Sequence, residues 1–234
     1  MRSYDRGMRT VIAGGHGQIA LHLERLLAAR GDTPVGLIRR AGPQEEDLRA
    51  AGAEPVLCDL ESATVDRVAA VLAGADAAVF AAGAGAGSGA DRKDTVDRAA
   101  AVLFADAAER AGVRRFVLLS SMGADREPPA DTDPVFAAYL RAKGAADADL
   151  AARTALDWTI LRPGRLTDEP ATGRVLLAER TGRGSVPRAD VAAVIAALLD
   201  TPATSGLTLE LVAGEAEVTR AVHDAATDTP SGLA

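Results

Sequence analysis

Seven short apolar runs separated by stretches of helical periodicity constrain this chain more than any other feature. The runs are RTVIAG at 9–14, TPVGLIR at 33–39, EPVLCD at 54–59, DAAVFAA at 76–82, RRFVLLSS at 114–121, DWTILRP at 157–163 and LTLELV at 207–212. Between them, QIALHLERLLAARG and TVDRAAAVLFADAAERAG repeat apolar residues every three to four positions and close at a glycine suited to a helix C-cap. A strand buried on both faces reads as an unbroken apolar run. The alternation therefore predicts an α/β fold, a doubly wound and mostly parallel sheet with helices on both sides. At 234 residues and 48% hydrophobic content the chain can bury one sizeable core. With aromatics at only 3%, Ala, Val and Leu must fill it.

Composition also removes whole classes of partner. A net charge of −7 does not suit a nucleic-acid backbone, which calls for a basic surface stripe. The single cysteine, Cys58, cannot form an intrachain disulfide or a cysteine metal cluster, and reads as a small buried hydrophobe in a reducing compartment. No metal site is expected. No run approaches the ~18 apolar residues that span a bilayer, and MRSYDRGMRT at the N-terminus has no hydrophobic signal segment. The expected location is the cytoplasm, with no membrane partner.

The first run breaks into glycines and returns to an amphipathic helix: AGGHGQIA at 13–20. In a dinucleotide-binding turn the first glycine makes the bend, the second lets backbone approach the pyrophosphate, and the third position keeps helix and strand close. Gly14 and Gly17 take the first two roles and Ala20 the third. Gly15, His16, Gln18 and Ile19 fill the turn and open the helix, whose free N–H groups and positive dipole end suit phosphate. Enzymes selective for NAD place an acid at the end of the second strand to hold the ribose 2′-hydroxyl. Here that strand ends GLIRR. Arg39 and Arg40 instead suit a 2′-phosphate, so the expected cofactor is NADP(H).

Two further groups carry chemistry. Tyr139 and Lys143 stand four apart in VFAAYLRAKGAADADL, a predicted helix, and so share a face. An ammonium near a phenol favours the phenolate, which lets such a tyrosine trade a proton with a carbonyl or alcohol. Ser120 and Ser121 end the fifth predicted strand, at the carboxyl edge where doubly wound sheets bind ligands. A hydroxyl there can stabilise charge developing on a substrate oxygen.

GGHGQIA, IRR, CDL, FAAG, RRFVLLSSMGAD, YLRAK and WTILRPG occur, in this order, much as in the atypical short-chain dehydrogenase/reductases, and from about residue 9 to 213 the chain resembles their NAD(P)H-binding, NmrA-like branch. The resemblance implies a Rossmann-like fold with a small C-terminal substrate-side extension. It places Asp59 and Leu60 beside the adenine, Ala81, Ala82 and Gly83 along the cofactor, and Pro163 and Gly164 near the nicotinamide. It also puts the His16 backbone, rather than its imidazole, in the turn. Ser120 falls among the cofactor contacts and Ser121 is preferred as the catalytic serine. Lys143 would serve both the ribose and the phenol.

The expected domain runs from 8 to 213, with a substrate lobe around 164–187 and flexible ends at 1–7 and 224–234. Only 71 residues follow Pro163, whereas relatives acting on nucleotide sugars carry a larger C-terminal lobe, so such a bulky substrate is not expected. Pro187 is expected to start a helix with Asp190 in its first turn. Arg162, Arg165 and Arg183 could attract an acidic substrate. Gly85, Gly87 and Gly89 read as hinges of a segment that flexes over the cofactor, with Lys93 and Asp97 as structural residues of the next helix. The leading reading is an NADP-dependent oxidoreductase of a small carbonyl, alcohol or enone-like compound, in which Tyr139 moves the proton, Lys143 tunes it and Ser121 orients the oxygen. Two alternatives stay open: a non-catalytic NADP(H)-binding regulator, and a flavin- or quinone-type reductase that does not need the tyrosine.

Overall fold

The computed structural model describes residues 7–85 and 87–227. Strand β1 (Arg9–Ala13) turns through the glycines into α1 (Gln18–Ala29). Next come β2 (Thr33–Ile38), α2 (Pro43–Ala50), β3 (Glu54–Leu57) and α3 (Val65–Leu72). After β4 (Ala77–Phe80) the chain forms α4 (Ala90–Arg92), a π-helix (Lys93–Ala99) and α5 (Ala100–Ala111). It continues through β5 (Arg115–Leu119), α6 (Pro134–Ala151), β6 (Asp157–Pro163), β7 (Arg165–Thr167), β8 (Arg174–Ala178) and β9 (Ser185–Pro187). The last elements are α7 (Arg188–Leu199), β10 (Leu207–Ala213), β11 (Ala216–Glu217) and α8 (Val218–Thr227).

The main sheet has the strand order β11-β8-β10-β6-β5-β4-β1-β2-β3, and β7 pairs with β9 in a separate small sheet. Strand β1 pairs in parallel with both β2 and β4. The winding therefore reverses at β1, and a crevice opens at the carboxyl ends of β1 and β4, where such sheets bind ligands. Successive side chains point to opposite faces. Val11 and Ala13 join Phe80, Phe104 and Phe116 on the face covered by α3, α5 and α6, while Ile12 joins Leu23, Leu27 and Ile195 under α1 and α7. Both faces are buried, which is why these strands read as continuous apolar runs. The three phenylalanines stack in tilted pairs, with centroids 6.0 and 5.7 Å apart.

The mostly parallel, doubly wound sheet is as expected, with several corrections to its details. Strands β7, β8, β9 and β11 were not anticipated, and β8 runs antiparallel to β10. The helix expected over 95–112 begins inside the π-helix, whose wider turn buries Lys93, Val96 and Asp97 against α6. Of the ends expected to be flexible, residues 224–227 belong to α8, which buries Val218, Ala221 and Val222. Gly7 lies against the Gly31 backbone. Residues 1–6 and 228–234 lie outside the described residues. Pro187 is the N-cap of α7 rather than its first residue, and Asp190 is buried, accepting hydrogen bonds from Thr172 and Gly173.

Candidate active site

The glycine turn is shaped by what a side chain would hit. Gly14 has φ +78°, a region L side chains avoid, and a Cβ there would lie 2.6 Å from the Ala82 Cα. Gly15 turns inward: its Cβ would fall 2.7 Å from the Gly36 Cα, so it lines no cavity and instead lets β1 approach β2. The Gly17 N–H donates to the Gly14 carbonyl at 2.8 Å. Gly17 is the N-cap of α1, and no side chain caps that helix. A bare helix N-terminus facing a crevice fits the pyrophosphate of a dinucleotide. Behind the turn, Glu24 of α1 is fully buried and neither carboxyl oxygen has a hydrogen-bond partner. Burial pushes this carboxyl up to about 8, so near neutral pH it is mostly the protonated acid.

A chamber of about 220 Å³ opens beside the turn, lined by Gly14, His16, Gly17, Arg39, Asp59 and Leu60. The His16 imidazole points away to Asp47, with Nε2 2.7 Å from the carboxylate. Arg39 lines the chamber and Arg40 does not; the Arg40 N–H is held by Gln44. Beside Asp59, a second acid lines this chamber, Glu61, which no sequence motif indicated. It accepts from Arg92 at 2.6 Å, from the Thr95 hydroxyl at 2.8 Å and from Arg39 at 3.3 Å. The Arg92 hydrogen bond holds its carboxyl below the ordinary carboxylate range.

Ala81, Ala82 and Gly83 line this chamber and also a larger cleft of about 1280 Å³. Gln18, Ile19, Ser120, Ser121, Lys143 and Pro163 line the cleft, and so does Tyr139. Lys143 is buried; its Nζ donates to the Leu119 carbonyl at 3.0 Å and lies 3.4 Å from Asp97 Oδ1. An ammonium has three donors and the Leu119 carbonyl takes one, which leaves N–H groups for Asp97 and the cleft. The Tyr139 ring lies among three neighbours. Lys143 Nζ is 5.9 Å from its centroid, Lys93 Nζ is 5.4 Å away, and Phe136 stacks on it at 5.9 Å. Lys93 and Asp97, read from the sequence as structural, both line the cleft. Lys93 also donates to the Gly85 carbonyl at 2.9 Å, which Ser88 binds too, so two donors hold the segment read as hinged.

The two serines differ. The Ser120 hydroxyl is buried beside Asp147, whose carboxyl is raised above the usual range by burial. Ser121 is partly exposed, and its hydroxyl makes only a long 3.4 Å contact with the Met122 carbonyl, which leaves it free for a ligand. Arg162 is not available to substrate, because its Nε donates to Asp147 at 2.9 Å in a nearly buried pair. Among the described residues no group of histidine, cysteine or acidic side chains could hold a metal ion, and no helix is long and apolar enough to cross a membrane.

The family model described as NAD(P)H-binding matches residues 14–202. A Bacillus subtilis protein described as an uncharacterized sugar epimerase, YhfK, is 35% identical over 92% of this chain and 99% of its own length. A solved structure from Bacillus halodurans, described as an NAD-dependent epimerase/dehydratase, is 36% identical with a TM-score of 0.85, covering 93% of this chain and all of that one. ChuY, an anaerobillin reductase from Escherichia coli O157:H7, is 27% identical with a TM-score of 0.73, covering 90% of this chain and 99% of its own. The bare glycine turn, the chamber beside it and these matches agree: the chain belongs to the NAD(P)H-binding family.

Proposed function

We propose that the protein is an NADP(H)-dependent oxidoreductase that interconverts a small carbonyl compound and its alcohol. The observation that carries this reading is the Tyr139 phenol ring, set in the cleft with the ammonium groups of Lys93 and Lys143 5.4 and 5.9 Å from its centroid. When bound, NADPH supplies the hydride that adds to the carbonyl carbon and is left as NADP⁺. The Tyr139 hydroxyl gives its proton to the carbonyl oxygen, so that hydride and proton together make the alcohol, and the phenolate then regains a proton from water. The Ser121 hydroxyl donates to the carbonyl oxygen as negative charge grows there.

Arg39 supports the choice of NADP(H). It lines the adenosine chamber, and Glu61, the acid near it, is already bound by Arg92 and Thr95. A 2′-phosphate would therefore draw the guanidinium from a shared partner rather than from an exclusive one.

The experiment is an NADPH-consumption screen over aldehyde, ketone, quinone and flavin panels, repeated with Tyr139→Phe. General acid catalysis contributes ~10²–10⁴-fold, so turnover of a carbonyl substrate should fall on that scale while NADPH binding is kept. Native turnover in the variant would overturn the role of Tyr139 and favour a flavin or quinone acceptor.

A further inference from the structure

We infer that the substrate carries an anionic group, a carboxylate or phosphate, which Arg165 and Arg183 receive at the far wall of the cleft. This rests on the carbonyl-reductase reading of the same cleft and names its substrate class.

The two arginines come together through a backbone contact that excludes side chains. The Arg165 N–H donates to the Gly184 carbonyl at 2.9 Å, and the Gly164 N–H donates to the Leu211 carbonyl at 2.8 Å. A Cβ on Gly164 would overlap the Gly184 carbonyl oxygen, and one on Gly184 would lie 2.8 Å from Val212 Cγ1. Strands β7 and β9 therefore press on each other and on β10. Arg165 and Arg183 flank that contact, and both line the cleft.

What distinguishes these two is that no described residue neutralises them. Other charged groups of the cleft wall have counter-charges: Lys143 has Asp97, Arg188 has Asp168 at 2.7 Å, Arg126 has Asp125 at 3.7 Å, and Glu127 has Arg141. Asp133 caps the Phe136 N–H. Neither Arg165 nor Arg183 has a side-chain hydrogen bond or ion pair among the described residues, and Lys93, a further cation of the cleft beside Tyr139, meets among them only a carbonyl and the Tyr139 ring. In a chain with a net charge of −7, this wall holds a local surplus of positive charge. Guanidinium groups suit planar carboxylates and phosphates through paired N–H donors.

The cleft also has apolar lining. Phe136 is 50% exposed and Val135 38% exposed on the first turn of α6, and Phe136 stacks on Tyr139. The cleft, at about 1280 Å³, exceeds the ~300–1,000 Å³ of most small-molecule sites. It can hold a nicotinamide half and a second molecule together. The matching ligand has its carbonyl at Tyr139, an apolar or aromatic body along Phe136, and its acid at Arg165 and Arg183.

The test titrates the NADP⁺-loaded protein calorimetrically with three probes: 4-carboxybenzaldehyde, 4-formylphenyl phosphate and the neutral methyl ester of the first. NADPH consumption is followed with the same three. At least one acid should bind about tenfold tighter than the ester, and which one identifies the anion. Arg165→Gln with Arg183→Gln should remove that advantage, Arg165→Lys with Arg183→Lys should keep part of it, and NADP⁺ affinity should be unchanged in both. Equal affinity for acids and ester, no measurable binding of either acid, an advantage that survives the glutamine pair, or a loss of NADP⁺ affinity would each overturn the subsite. Turnover of the ester without any preference for the acids sinks the subsite and keeps the reductase. Arginine-dependent binding of the acids without NADPH oxidation keeps the subsite and sinks carbonyl reduction.

Discussion

Lys143 Nζ and Asp97 Oδ1 stand 3.4 Å apart with both side chains almost wholly buried, which ties α6 to the π-helix directly beneath the cleft. A buried pair of this kind is strongly felt when one member is removed, because the other charge is left uncompensated. Asp97→Ala is expected to destabilise the protein by ~3–5 kcal/mol, read from the denaturant midpoint at constant slope. A loss below about 1 kcal/mol, the scale of an exposed pair, would mean that solvent or a neighbour takes over the ammonium.

On the proposed reading, cofactor choice turns on Arg39. Replacing it by alanine would then remove a charge-assisted contact to a 2′-phosphate, a change of roughly 1.5–3 kcal/mol. Calorimetric titration should show the unmutated protein binding NADPH more tightly than NADH and Arg39→Ala losing most of that margin. Equal affinities before mutation would assign the chamber to NAD(H), with Glu61 as the ribose partner.

The glycines of the turn separate binding from folding. Gly17 has φ −70°, which any residue adopts, and a Cβ there would meet the Gly14 carbonyl oxygen at 3.1 Å, a tight contact relieved by a shift of a few tenths of an ångström, and the Ala81 carbonyl oxygen at 4.0 Å. Gly17→Val should therefore abolish NADPH binding with a near-native circular dichroism spectrum. Gly14→Val, at φ +78° and 2.6 Å from the Ala82 Cα, should lower the melting temperature as well. Undiminished NADPH binding by Gly17→Val would place the pyrophosphate elsewhere.

Glu24 makes stability depend on pH. Its carboxyl rises from 4.5 in the unfolded chain to about 8 in the fold. Between those values the native state holds a proton that the unfolded state has released, so stability falls as pH rises from about 4.5 to about 8 and then levels off. Glu24→Gln keeps the shape and cannot ionise. Melting profiles of the two proteins should diverge with increasing pH over that window. The variant should be the more stable at pH 8 by a few kcal/mol, since each tenfold change in proton affinity is worth about 1.4 kcal/mol. Parallel profiles would show that Glu24 ionises freely or has a partner in solution.

The parallel strands β1, β2, β4, β5 and β6 were legible because they are largely buried on both faces and so leave apolar runs that need no context, whereas the edge strand β3, with no fully buried residue, was legible only from its short apolar stretch. Strands β7 and β9 have three residues each, too few for any period to show, and they exist because Gly164 and Gly184 let them touch. The π-helix was hidden for another reason: KDTVDRA has the composition of an ordinary helix opening, and the widened turn shows only in its backbone pairing. Tyr139 and Lys143 were found by their spacing, whereas Lys93 and Asp97 reach the same ring and ammonium from an element remote in sequence. Arg162 shows the reverse error, since its charge is visible in the sequence but its partners, Asp147 and Asp125, are not.

The contact between Gly164 and Gly184 also bears on how such a protein can diversify. The arginines beside it lie between residues 164 and 188, while the chamber beside the glycine turn is built mainly from residues 14 to 61 and 81 to 83. Because Gly164 is fastened to β10 through the Leu211 carbonyl, and the Glu210 side chain holds Arg180 and Thr181 rather than Arg165 or Arg183, these two arginines are free to drift. A lineage can exchange them one at a time and acquire a new substrate while inheriting its cofactor chamber intact.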